Sequence, residues 1–231
     1  KDTLDNLRNN DITYGGAGLS YDEIYHPIIL EKNDLKVAVL CLAEAQFGSS
    51  KDKNETKPGY AWIFNADNYK KIEDLKKSYD YVICFVHAGL EMADLPLPEW
   101  RMCYRSLIDY GCDLVIGGHP HVIQGKEIYK GKFIYYSLGN FFFNCPPEGV
   151  LWNHSLSLQV HLEKELIKVD EIFTKFDQNF ITVDDKQNIN ALTQILEQQN
   201  YDAYLEKINR EVLKHWNEYY ESYFSYPILN A

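Results

Sequence analysis

Two histidines separated by one proline are the residues of this sequence best suited to chemistry. They lie in Gly117-Gly118-His119-Pro120-His121, directly after the apolar residues 114–116, which predict a buried strand. In an extended segment residues i and i+2 point the same way, and Pro120 stiffens the link between the two rings. Both imidazoles can therefore face one point beyond the carboxyl end of a strand, where α/β proteins usually bind ligands. We interpret the pair as metal ligands; the alternative is two histidines in a polar loop.

A third histidine, His87, follows a second apolar run, residues 81–86, at the point where that predicted strand ends. If the two strands are parallel, His87 reaches the same edge of the sheet as His119 and His121. Imidazole nitrogens suit Zn, Mn, Fe, Ni or Co at neutral pH. We therefore predict that these three histidines form a nitrogen-rich half of a metal site.

Three ordered blocks resemble one family of proteins. The His-Pro-His segment resembles the Gly-His-x-His motif of the binuclear metallophosphoesterases. Residues 122–143, which include Tyr-Ser-Leu-Gly-Asn-Phe at 136–141, are similar to the CapA/PgsA-type family of poly-γ-glutamate capsule synthesis (PGA_cap). Upstream, Val86-His87-Ala88-Gly89-Leu90-Glu91 resembles that family's His-Trp-Gly-x-Glu block, with Ala88 in place of the tryptophan. The resemblance extends from about residue 15 to residue 170, and matching spacing makes it more specific than any single motif.

The resemblance implies a pair of divalent metal ions, Mn, Zn or Fe. By analogy with the metallophosphoesterases, His87 and His119 would bind one ion and His121 the other, together with a bridging Asp and an Asn from blocks that this chain lacks. Two metals about 3.5–4 Å apart activate water and stabilise charge on a phosphoryl or carbonyl oxygen. The metals alone do not name the substrate, since the same device hydrolyses phosphoesters and amides.

Two further residues are candidates for a catalytic role. Glu91 lies four residues after His87, and in the family's block it could support a ligand, act as a general base or contact substrate; a solvated surface glutamate is the alternative. Asn140 lies on a strand end that would reach the same edge. We expect it either to form a hydrogen bond near the site or to hold a turn.

Two functions from different classes remain open at this point. The first is a metal-dependent hydrolase of capsule or poly-γ-glutamate biosynthesis that cleaves a phosphoester or γ-glutamyl amide. The second is a non-catalytic capsule-assembly component that binds an anionic polymer or partner enzymes. Either function calls for an anionic polymer or phosphoester as ligand, and other capsule-synthesis proteins are candidate partners.

Composition limits the partners of the protein. Its 231 residues include 34 acidic and 23 basic side chains, a net charge of −11, which argues against nucleic acid because such binding requires Lys and Arg to neutralise phosphates. The sequence contains no apolar run of about 18 residues, so we expect no membrane segment in this chain. The five cysteines suit a reducing cytoplasm, whereas the family is often found at the cell envelope, so location stays open.

The elements that must position the site alternate between strands and helices in the first part of the chain. This order predicts parallel pairing with right-handed crossovers. Glu44 directly follows one strand and could point into the pocket, although we do not assign it to the site. The region 43–60 is expected to be a long irregular loop that forms a rim. The predicted strands are 36–42, 81–86, 113–116, the hairpin 127–129 with 132–136, 152–162 and 166–176; the predicted helices are 3–10, 65–78, 98–110 and 188–224.

We therefore expect an α/β fold, an αββα sandwich of the metallophosphoesterase type, over residues 1–180. Residues 181–231 form a helical C-terminal appendage in this prediction, with an aromatic stripe that packs on the main domain; a binding surface is the alternative. The chain begins at Lys1 and its methionines are Met92 and Met102. We expect it to be the C-terminal two-thirds of a longer family member, with weak or no turnover by itself.

Overall fold

The computed structural model describes residues 1–45, 48–54, 57–143, 151–177, 180–183, 201–211 and 214. The helices are α1 (Asp2–Asn9), α2 (Tyr21–Ile24), α3 (Asp67–Lys76) and α4 (Pro98–Asp109), with a short 3-10 helix at Leu151–Asn153. The strands are β1 (Ala17–Gly18), β2 (Ile28–Lys32), β3 (Leu35–Ala43), β4 (Ser49–Ser50), β5 (Gly59–Ala61), β6 (Tyr81–His87), β7 (Leu114–Gly118), β8 (Lys126–Tyr129), β9 (Lys132–Tyr135), β10 (His154–Glu163), β11 (Leu166–Asp177) and β12 (Phe180–Val183). They form a mixed α/β fold with three sheets among the described residues.

The largest sheet has six strands in the order β2-β3-β6-β7-β9-β8. Its middle pairs, β3 with β6, β6 with β7 and β7 with β9, are parallel, whereas β2 and β8 join antiparallel at the two edges. The continuous apolar runs of the middle strands fit this position, because strands covered on both faces read as unbroken hydrophobic segments. The parallel pairing that strand–helix alternation predicts is confirmed.

Each face of the six-stranded sheet is covered by a different layer. Helix α3 contacts β6, and α4 contacts β7 and β9. On the opposite face, inward side chains such as Val39, Ile83 and Ile116 form a hydrophobic core cluster with Leu156 of the second sheet, β10-β11-β12. Helices on one face and a second sheet on the other make this a mixed α/β fold with more than one sheet. The αββα sandwich stays a prediction.

Helix α4 has clear local signals at both ends. Pro98 occupies its first turn, where a missing N–H costs nothing, and Gly111 follows its end with a φ of +123°, a conformation that favours glycine. The predicted strands, helices 3–10, 65–78 and 98–110, and the hairpin are all confirmed to within a few residues at each end. The thiols of Cys84 and Cys112 are buried.

Two expectations need correction or lie outside the described residues. The region 43–60 is not simply an irregular loop, because β5 pairs with both β4 and β1 in a small three-stranded sheet; strands of two or three residues leave no periodic pattern to detect. Residues 201–211 and 214 are helical, as predicted, whereas most of 188–224 lies outside the described part. The chain divides into compact units 1–195 and 196–231, and the predicted boundary at 180 stays a prediction.

No described helix has the length and apolar character needed to cross a bilayer.

Candidate metal centre

Three parallel strands end side by side and present the candidate ligands at one edge. Ala43 of β3, His87 of β6 and Gly118 of β7 are in register across the sheet. The pairing continues one step further, because Glu44 N–H donates to the His87 carbonyl at 3.0 Å and Ala88 N–H donates to the Gly118 carbonyl at 3.0 Å. This is the carboxyl edge of the parallel strands, where ligands of α/β sheets bind.

The His-Pro-His segment turns sharply as it leaves β7. His119 and His121 have φ values of 103° and 64°, which non-glycine residues rarely adopt. The premise that this segment is extended is therefore wrong: both histidines have left-handed backbone rather than the strand geometry that places i and i+2 on one side. Such conformations cost on the order of 1–3 kcal/mol each and concentrate at functional sites.

Close packing on both sides holds this turn in place. A Cβ at Gly117 would lie 2.1 Å from the Tyr136 carbonyl oxygen, so only glycine fits where β7 ends. Pro120 is buried beside Gly89, where an added Cβ would approach its ring to 3.0 Å. Met92 N–H also donates to the Pro120 carbonyl at 2.9 Å. These contacts fix the strained backbone of the two histidines.

The three predicted histidines lie close together. The ring centroids of His87 and His119 are 4.9 Å apart, and those of His119 and His121 are 5.9 Å apart. Glu91, His119 and His121 each offer a ligand atom within 4.8 Å of the others. Imidazole nitrogens and a carboxylate oxygen are donors that Zn, Mn and Fe accept. The residues present therefore fit a divalent metal ion, although the identity and number of ions stay predictions.

The ring of His121 is oriented by Asn140 and by aromatic neighbours. The Asn140 amide nitrogen donates to the carbonyls of His121 at 3.1 Å and Trp152 at 3.2 Å, which fixes the orientation of the amide. Its oxygen lies 2.9 Å from His121 Nδ1 and can only accept, so Nδ1 carries the proton and the lone pair is on Nε2. The His121 ring also stacks on the Trp152 ring, with the two ring centroids 4.5 Å apart. Asn140 therefore contacts a candidate ligand, whereas its role in a functional site stays a prediction.

Glu44 contacts His119 more closely than Glu91 does. Glu44 Oε1 lies 3.1 Å from His119 Nε2, and Glu91 Oε1 lies 3.8 Å from the same nitrogen. The side chain of Glu44 is 18% exposed and that of Glu91 is 58% exposed. Sequence reasoning left Glu44 out of the site; its place directly after a buried strand in the same sheet was the signal that could have included it.

The electrostatic environment favours a neutral His87. Partial burial lowers the pKa of the His87 imidazole below 6.5, the proximity of His119 lowers it further, and the Glu44 carboxylate partly opposes both. A metal ligand must present an unprotonated nitrogen. His87 therefore satisfies that requirement at neutral pH.

A cavity of about 420 Å³ opens beside His87. Its floor is mostly apolar and is formed by the ends of the three central strands, and Cys41 and Phe85 line it with glycines 15 and 16. Phe85 is 45% exposed although it lies on a central strand. The site thus has room for a group considerably larger than water next to the histidine cluster.

Comparison with known proteins identifies relatives of this chain. The family described as bacterial capsule synthesis protein PGA_cap matches residues 1–145. The chain is 32% identical over 149 residues to the capsule biosynthesis protein CapA of Bacillus anthracis, covering 62% of this chain and 36% of that protein. It is 32% identical over 171 residues to the PGA biosynthesis protein CapA of Bacillus subtilis (strain 168), covering 71% and 43%. The chain thus spans about two fifths of the length of these curated relatives.

Among solved structures, a Staphylococcus aureus protein described as a 5′-nucleotidase matches 88% of this chain and 38% of its own length. The sequence identity is 13% and the TM-score is 0.40. A hypothetical protein from Thermus thermophilus matches 68% of this chain and 61% of its own length at 12% identity and a TM-score of 0.40. Neither likeness is close enough to support a conclusion about activity.

Proposed function

Because the chain belongs to the family of the bacterial capsule synthesis protein PGA_cap, we propose that it acts in capsule or poly-γ-glutamate synthesis as a metal-dependent hydrolase. The names of the two Bacillus relatives support the biological role. The reaction we propose is hydrolysis of a phosphoester or a γ-glutamyl amide. Two divalent ions, Mn, Zn or Fe, would serve as cofactors.

The observation that carries the proposal is the convergence of His87, His119 and His121 on one edge of the sheet. These residues come from two separate strand ends, yet neighbouring rings lie 4.9 and 5.9 Å apart. The strained backbone of His119 and His121 supports the same interpretation, since such strain persists where function requires a defined geometry. Histidines that served only to fill a polar loop would not need this arrangement.

Each residue has a distinct role in the proposed reaction. His87, His119 and His121 would hold the metal, and Asn140 keeps the Nε2 lone pair of His121 available by accepting from Nδ1. A bound divalent metal supplies a Lewis acid that activates water and stabilises negative charge on the substrate oxygen. Glu91, largely exposed and 3.8 Å from His119, would accept a proton from the attacking water.

The negative net charge of the protein affects how an anionic substrate would reach the site. A protein with a net charge of −11 repels an anionic polymer or phosphoester at long range. Bound divalent cations at the histidine cluster would provide the local positive centre that draws such a substrate to this edge. The aromatic side chains of Phe143 and Trp152 beside His121 would form one wall of the substrate site.

The experiment that tests the proposal is a hydrolysis assay on the protein as it is produced in the cell. Purified protein with added Mn²⁺ would be incubated with bis(p-nitrophenyl) phosphate and, separately, with a γ-glutamyl peptide. We expect turnover of one of the two substrates, its loss with a chelator and its recovery when Mn²⁺ is restored. The variant His121→Ala should lose both turnover and bound metal.

A control variant with a distant histidine makes the result specific. His161 lies on β10 and pairs with Asp170 at the surface, so His161→Ala should retain both properties. Metal binding without turnover of either substrate would instead favour the non-catalytic capsule-assembly role. Unchanged metal content in His121→Ala would remove the basis of the proposal altogether.

A further inference from the structure

The carboxylate of Glu44 is held in a fixed position between two neighbouring strand ends. Its backbone N–H donates to the His87 carbonyl at 3.0 Å, which extends the β3–β6 pairing by one residue. Its Oε2 accepts from the N–H of Gly89 at 3.3 Å. The other oxygen, Oε1, then faces His119 Nε2 at 3.1 Å. Both the backbone and one carboxylate oxygen of Glu44 are therefore tied to the segment that carries His87.

This contact has a defined consequence for the His119 ring. A carboxylate can only accept, so a hydrogen bond across this 3.1 Å separation requires a proton on Nε2, and a neutral ring then has its lone pair on Nδ1. The His119 side chain is 6% exposed and that of Glu44 is 18% exposed, so water competes little for the bond.

The same arrangement occurs at the neighbouring histidine with a different partner. Asn140 accepts from His121 Nδ1 at 2.9 Å, whereas Glu44 faces Nε2 of His119. Each of the two histidines thus has one ring nitrogen engaged by a side chain from a separate element. Histidines that bind metals almost always donate their second N–H to such a partner, which fixes the ring and raises its basicity.

We propose that Glu44 is a positioning residue of the metal centre, which holds His119 as the Nε2–H tautomer and presents Nδ1 to a divalent metal ion. This inference rests on the proposed function, because it assigns His119 as a ligand. Glu91 is less suited to the role, since its oxygen is 3.8 Å from Nε2 and its side chain is 58% exposed. Outer partners of this kind typically change metal affinity by about 10–100-fold when removed.

The test combines a tautomer measurement with a metal titration. Long-range ¹H–¹⁵N spectra of the metal-free protein report which nitrogen of each imidazole is protonated, and a His119→Gln variant identifies the His119 signals by their loss. We expect the Nε2–H form for His119 in the unmodified protein and a mixture of tautomers in Glu44→Ala. Titration with Mn²⁺ should show affinity about 10–100-fold weaker in Glu44→Ala.

Two further variants keep the result interpretable. Glu44→Gln retains an oxygen that can accept from Nε2–H, so it should keep the tautomer and most of the affinity, and it replaces Glu44→Ala if that variant does not fold. Glu73→Ala removes an exposed carboxylate of α3 with the same change in charge and should leave both readouts unchanged.

The possible failures can be told apart. An unmodified protein with His119 protonated on Nδ1, or a Glu44→Ala variant with unchanged tautomer and affinity within twofold, would overturn the role of Glu44. If His119→Gln and His121→Ala bound Mn²⁺ as tightly as the unmodified protein, the proposed metal centre would fail instead. In that case the tautomer spectra would still decide whether Glu44 orients His119.

Discussion

Replacement of Glu127 by Gln should destabilise the protein substantially, because this carboxylate is the centre of a buried ionic network. Glu127 lies on β8 and accepts from Arg101 Nη2 at 3.1 Å, from Arg105 Nε at 3.2 Å and from the Tyr136 hydroxyl at 2.6 Å. The side chains of Glu127 and Arg101 are only 7% and 8% exposed. Loss of the negative charge would leave Arg101 buried without a compensating carboxylate.

The size of the expected loss in stability follows from the pKa of Glu127. Burial raises the pKa of this carboxyl group, but the hydrogen bonds from Arg105, Arg101 and Tyr136 outweigh burial and lower it from 4.5 to about 2. At roughly 1.4 kcal/mol for each pH unit, this corresponds to about 3 kcal/mol of stability at neutral pH. For a protein of this size, the expected fall in Tm is roughly 6–12 °C.

The stability that Glu127 contributes decreases as the pH falls. Because the folded pKa lies below the unfolded one, the stabilisation is fully present above about pH 4.5 and is lost as the pH falls towards 2. The difference between the unmodified protein and Glu127→Gln should therefore be largest at pH 7 and should fall to about half near pH 3. Urea unfolding at both pH values, followed by circular dichroism, measures this difference.

A matched variant separates the network from a general effect of charge. Glu73→Gln neutralises an exposed carboxylate on α3 and should change the free energy of unfolding by less than about 0.5 kcal/mol. If Glu127→Gln were as stable as Glu73→Gln at pH 7, or if its deficit did not shrink on acidification, the reasoning would be refuted.

Two further replacements and one thiol reagent test the packing and the candidate metal centre. Gly117→Ala places a Cβ 2.1 Å from the Tyr136 carbonyl, so it should lower the Tm sharply or prevent folding, as a thermal melt would reveal; a melt like that of the unmodified protein would contradict the packing described. Asn140→Ala removes the acceptor for His121 Nδ1 and should weaken Mn²⁺ binding by about 10–100-fold in a titration, whereas unchanged affinity would exclude this role. Burial raises the pKa of Cys103 to about 12, so in a variant carrying Cys41→Ser and Cys145→Ser its thiol should not react with Ellman's reagent until urea unfolds the protein; rapid reaction of the folded variant would contradict this burial.

The sequence predicted those parts of the fold that leave a periodic or apolar signal. The apolar runs at β3, β6 and β7 are unbroken, so their pairing and the edge at which His87 and His119 meet could be inferred in advance. The short strands β4 and β5 could not, because two or three residues in a polar segment carry no periodicity. β5 pairs with the distant β1 as well as with β4, so this sheet depends on tertiary contacts rather than on local preference.

The candidate site was predicted in its composition but not in its geometry. Residue types and spacing identified the three histidines and Asn140, whereas the left-handed backbone of His119 and His121 depends on tertiary packing around Gly117 and Pro120. Glu44 was missed for a related reason. Its contact with His119 joins residues 75 positions apart, and only the β3–β6–β7 register brings them together.

The most direct test of the account is to locate bound metal in a crystal of the protein grown with Mn²⁺. Anomalous difference maps recorded with X-rays that Mn absorbs would place each ion relative to the histidine rings. We predict one peak at roughly 2.0–2.3 Å from nitrogens of His87 and His119 and a second at that distance from a nitrogen of His121, close to the distance at which imidazole binds such ions. Well-ordered rings at this edge with no anomalous peak between them, at Mn²⁺ concentrations in the millimolar range, would contradict the central claim.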